Sequence, residues 1–110
     1  MKAKVSEASG PALDWMVAKC EGLDLEFGLE EGENFSSNWG MAGPIIEREE
    51  IGIKRRMPCM RGEEWEAHGS ISAKGAGYRW AAGPTPLVAA MRCYVASKLG
   101  EEVEVPDELA

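Results

Sequence analysis

The chain has 110 residues, 45% hydrophobic and 28% charged, with a formal net charge of −7. That size and balance suit one folded domain over residues 1–110 with a modest core, which pairing into a homo-oligomer would reinforce. The acidic excess disfavours direct binding of long nucleic acids, whose affinity rests on Lys and Arg contacts to phosphates.

The opening MKAKVSEASG has no apolar leader core, and no apolar run in the chain reaches membrane-spanning length. A cytoplasmic protein with no membrane partner is expected. AKVS reads as a short strand. The spacing then predicts a helix over residues 11–21, with Ser9 or Gly10 as cap, Pro11 in the first turn and Gly22 as stop. Leu13, Met16, Val17 and Cys20 make its apolar stripe. Residues 22–38 are rich in Gly and Glu and read as a loop tacked to the core by Phe27, Leu29 and Phe35. NWGMAGPIIERE, residues 38–49, is too rich in glycine to pack regularly and reads as a further loop. IGIK, EWEAHG and GYRWAAG follow as short strands, the last two joined by a hairpin loop, GSISAKGAG. Tryptophans 65 and 80 are expected to fill the core. A second helix starts at Pro86 behind a Thr85 cap and stops at Gly100. Leu87, Val88, Met91, Tyr94, Val95 and Lys98 are neighbours on its wheel, with Ala89 and Arg92 beside them. VEV near the end reads as an edge strand closed by Pro106. The expected class is α+β, two helices packed on a small, mostly antiparallel sheet.

Equipment for bond-making is sparse. Cys20, Cys59 and Cys93 form no C-x-x-C pair or zinc spacing, and Cys20 and Cys93 fall in helical patterns as buried thiols. His68 can pair with Glu66 or Ser70, yet no hydrolase, protease or phosphate-loop motif accompanies it. Glu64, Glu66 and His68 share a strand face, which does not by itself create a metal site. No metal, cofactor or catalytic residue is therefore expected. Charge is unevenly spread. Residues 21–33 carry six acids and no base, and residues 54–61 carry four bases and no acid. The two runs read as a solvated acidic loop and a solvated basic turn, or else as a local anion site or two subunits meeting through opposite charge. The helix start at GPTP offers backbone N–H groups to an anion. An indole beside Arg48, Arg79 or Arg92 can stack a base while the guanidinium holds a phosphate. Trp39 and Arg48 are the first-choice ligand contacts, with Thr85 and Arg92 near the second helix.

Three stretches, SGPALDWMVAKCEG, NWGMAGPIIERE and GPTPLVAAMRCYVASKLGEEVEVPDEL, resemble the NinX family of lambdoid bacteriophages. The basic run IKRRMPCMRG is not part of that likeness. The resemblance implies a small, dispensable phage accessory protein acting in the host cytoplasm, and supplies no catalytic residues to map. The expected function is non-enzymatic: capture of a nucleotide-derived small molecule as a counter-defence sponge. The rival is an acidic protein–protein module that inhibits or modulates a host or phage DNA-metabolism or defence protein. A hydrolase using His68 is the third reading.

Overall fold

The fold is seen in a computed structural model that describes residues 1–25, 28–29, 33–60, 63–69 and 80–109. It runs β1 (Lys2–Lys4), a 3₁₀ turn (Val5–Glu7), α1 (Gly10–Cys20), α2 (Trp39–Arg48), β2 (Gly52–Met60), β3 (Glu63–His68), β4 (Trp80–Gly83), α3 (Pro86–Leu99), β5 (Glu102–Glu104) and a 3₁₀ turn (Asp107–Leu109). β2, β3 and β4 form an antiparallel sheet in that order, with β3 central. β1 and β5 form a second antiparallel pair, Ala3 opposite Val103. The class is α+β, as the sequence implied, with one more helix than expected. The hairpin loop from Ser70 onward, together with Phe27, Arg61, Tyr78 and Arg79, lies outside the described residues.

α3 is the axis of the core. Nine consecutive residues, Leu87 through Val95, are buried, so the expected stripe widens to the whole circumference. A helix apolar all round must be surrounded. Here α1, α2, the three-stranded sheet and the first 3₁₀ turn pack around it. Thr85 caps its start, its hydroxyl accepting from Val88 N at 3.1 Å. The last β4 residue, Gly83, meets that first turn so closely that an added Cβ would lie 2.8 Å from Ala89 N. α1 ends as its sequence predicts. Gly22 takes a positive φ of 74°, and Leu23 N donates to Ala18 O at 3.1 Å, closing a Schellman turn.

The helix α2 corrects the reading of NWGMAGPIIERE as a loop. Asn38 caps it, accepting from Gly40 N at 2.9 Å. Ala42 and Ile45 are buried, with Met41 and Ile46 packed beside them. That one-sided stripe outweighs two glycines, at roughly 1 kcal/mol each, and Pro44, whose missing N–H costs the helix a bond. Its C-terminus is a second Schellman turn. Ile51 N donates to Ile46 O at 3.0 Å, but the left-handed position is filled by Glu50, at φ 54°, instead of glycine. The loop before α2 is pinned as expected by Phe35, buried, and Leu29, partly so. A further pin is polar: buried Asp14 on α1 accepts from Ser36 N at 2.8 Å.

Candidate functional site

Trp39 and Arg48 stand at opposite ends of α2, about 13 Å apart along its axis at 1.5 Å per residue. Trp39 is 56% exposed, so it is neither core nor buried wall. The Arg48 guanidinium is occupied. Nη2 lies 2.7 Å and Nη1 3.3 Å from the two oxygens of Glu21, Nε lies 3.0 Å from Glu49, and Nη2 also donates to the Tyr94 hydroxyl at 3.1 Å. Tyr94 in turn donates to Glu21, and Lys98 reaches Glu49 at 3.6 Å. This cluster clamps the C-terminal ends of α1 and α2 onto α3. Burial alone would raise the Glu21 carboxyl, but the hydrogen bonds from Arg48 and Tyr94 outweigh it and hold the group below the usual glutamate range. Burial, then the bond to Glu21, pushes the Tyr94 phenol up. Thr85 is exposed at the α3 start, with its hydroxyl spent on the cap.

Arg92 is placed differently. It is 6% exposed, in the middle of α3, and its head reaches between β4 and the first 3₁₀ turn. Nε donates to Ala8 O at 2.8 Å and Nη1 to Ala82 O at 2.9 Å. Among the described residues no carboxylate comes within ion-pair distance and Nη2 makes no hydrogen bond. Burial pulls the guanidinium below the usual arginine value, opposed by the more distant charges of Glu63 and Glu7. This buried cation lies against a cleft of about 760 Å³ along the outer edge of β4. Val5, Ala81, Ala82 and Ala96 give it an apolar lining, and Trp80 stands on its wall. Lys4, Glu63, Glu101 and Glu102 bring charge to it.

Trp80 is the aromatic whose role the sequence misassigned. It was expected in the core and is 52% exposed, with the Arg56 guanidinium 5.6 Å from its ring centroid. Pairing explains this. Ala67 and Ala81 face each other, as do His68 and Trp80, and directly opposed residues share a face. Ala67 is fully buried, so Trp80, one residue along from Ala81, turns to the outer face. Trp65 shares the Ala67 side and packs on the core as expected.

The basic run is a strand, not a turn, and its cations meet the acidic strand beside it. Lys54 lies 3.3 Å from Glu66, Arg55 4.0 Å from Glu64, and Arg56 3.4 Å from Glu63. Charge complementarity thus pairs β2 with β3 within one chain, as cross-strand ion pairs do. His68 Nε2 is 3.0 Å from Glu66 Oε1, the partner that strand alternation allows. Both described thiols are poor nucleophiles: burial pushes Cys20 up to about 12 and Cys93 to about 11. No helix among the described residues is long and apolar enough to cross a membrane.

The molecule is thus a small α+β protein whose cleft combines an exposed indole with a buried guanidinium that has no carboxylate partner among the described residues. Residues 28–98 match the family described as Bacteriophage P22, NinX, and the chain belongs to that family. The match spans α2, the three-stranded sheet and nearly all of α3, and so includes Trp80 and Arg92. Lys4, Glu101 and Glu102 fall outside it, as does the α1 stretch. No curated protein matches the chain.

Proposed function

We propose that this phage protein works without catalysis, binding and sequestering a nucleotide-derived small molecule in the cleft between β4, α3 and the first 3₁₀ turn. The observation that carries the reading is Arg92: a buried cation at the cleft with two nitrogens committed to carbonyls and, among the described residues, no partner for the third. A buried charge is costly unless paired, so an anionic or strongly accepting ligand group gains there what exposed arginines cannot supply. Trp80 gives a ring a face to stack on, worth about 1–3 kcal/mol for a base. Trp80 and Ala82, whose carbonyl holds Arg92, are two residues apart, about 7 Å along the strand. A mononucleotide spans that interval between base and phosphate. Capture of such a molecule in the host cytoplasm would remove a host signal, the counter-defence role.

The test is a melting series with nucleoside monophosphates, cyclic nucleotides and ADP-ribose derivatives. A ligand at 100 times its Kd adds about 2.7 kcal/mol and raises the Tm accordingly. Absence of any shift, with a host protein retained through purification, would overturn this reading in favour of the acidic protein–protein module.

A further inference from the structure

We infer that the cleft selects a ligand with a single anionic group on an amine-bearing ring, and discriminates against polyphosphates. This rests on the proposed binding function and narrows its ligand class.

The charges are asymmetric. One buried guanidinium, Arg92, is available at the apolar end, while Glu63, Glu101 and Glu102 line the same cleft. Lys4, the other cation among the described lining residues, is 3.9 Å from Glu7 and stands directly opposite Glu102 in the β1–β5 pair. Arg56 is 3.4 Å from Glu63 and lies over the Trp80 ring. A phosphate or carboxylate can therefore be neutralised at one point. Among the described residues, every further negative charge would be carried toward carboxylates instead of cations. The same carboxylates accept hydrogen bonds only, so they favour ring edges rich in N–H donors, as in adenine and guanine, over ring edges that only accept. With charges about 8 Å apart and screened at physiological salt, the carboxylates of Glu101 and Glu102 acting on two extra phosphate charges amount to about fourfold in affinity.

Calorimetric titration with AMP and with ATP, each without added divalent metal, tests this. AMP is expected to bind about fourfold more tightly than ATP. The double variant Glu101→Gln with Glu102→Gln keeps the shape of the rim and should narrow the gap, because it removes the repulsion of the outer phosphates from ATP and weakens the hold on the ring edge in both nucleotides. ATP binding as tightly as AMP to the unmodified protein, or a gap that the double variant leaves intact, would overturn the selectivity. Absence of binding by AMP, ATP and every nucleotide in the melting series would overturn the nucleotide reading itself. Trp80→Ala, exposed and outside the core, should weaken AMP at least fivefold, about 1 kcal/mol, if the ring stacks there.

Discussion

Gly83 joins β4 to the first turn of α3, and the cleft depends on that junction. Replacing it with alanine would put a Cβ 2.8 Å from Ala89 N, 3.0 Å from Val88 Cγ1 and 3.2 Å from Ala89 Cα. Two of those atoms are helix backbone, which cannot swing aside as a flexible side chain can. Overpacking of this kind costs about 1–3 kcal/mol. With an unfolding entropy of about 2.1 cal/mol/K per residue, a 110-residue chain loses about 4 °C of Tm per kcal/mol, so Gly83→Ala should melt about 4–13 °C lower. Gly43→Ala makes the opposite case. It lies in α2 with nothing within 4 Å of the added carbon, so the better helix propensity of alanine should stabilise by about 0.5–1 kcal/mol. Urea unfolding of both variants beside the parent gives the answer. A Gly83→Ala protein within 0.5 kcal/mol of the parent, or a less stable Gly43→Ala protein, would refute the packing argument.

Arg48→Ala should lower urea stability by about 0.5–1.5 kcal/mol, since the cation is half exposed and screened, and should leave nucleotide affinity unchanged. A loss of affinity at constant stability would return Arg48 to the binding site. Asp14→Ala strips the buried Ser36 N–H of its acceptor and should cost about 1–3 kcal/mol, read by the same unfolding curves; an unchanged midpoint would refute the pin. The folded-state pKa of Glu21 is lowered, so the stability it contributes is complete at neutral pH. That contribution is lost as the pH falls from the ordinary glutamate range through the lowered value. Stability measured from pH 7 to pH 2 should therefore decline less steeply in Glu21→Gln than in the parent, and parallel declines would count against the clamp.

The α+β class, α1, α3 and the presence of all five strands were readable wherever local chemistry agreed with tertiary packing, with β2 running on beyond IGIK. Ser9, Pro11 and Gly22 bracket α1, and Thr85, Pro86 and Gly100 bracket α3. α2 was hidden because its local signals conflict with its packing. Two glycines and Pro44 argue against a helix, and Glu50 occupies the left-handed stop where glycine would have announced it. The Arg92 position beside an apolar stripe was visible, but its burial was not, because that depends on elements arriving from both ends of the chain. Trp80 was misplaced through register: whether a tryptophan in a short strand faces core or solvent turns on a single residue. The basic run misled for a similar reason, its acidic counterpart being the strand that follows it.

The most direct test is a two-dimensional NMR titration with ¹⁵N label, following the four tryptophan indole N–H signals and Arg92 Nε–H as AMP is added. The account predicts saturable shifts at Trp80 and Arg92, with Trp39 unmoved at the far end of α2. Saturation that moves Trp39 and leaves Trp80 and Arg92 in place would contradict it, as would a spectrum that AMP does not change.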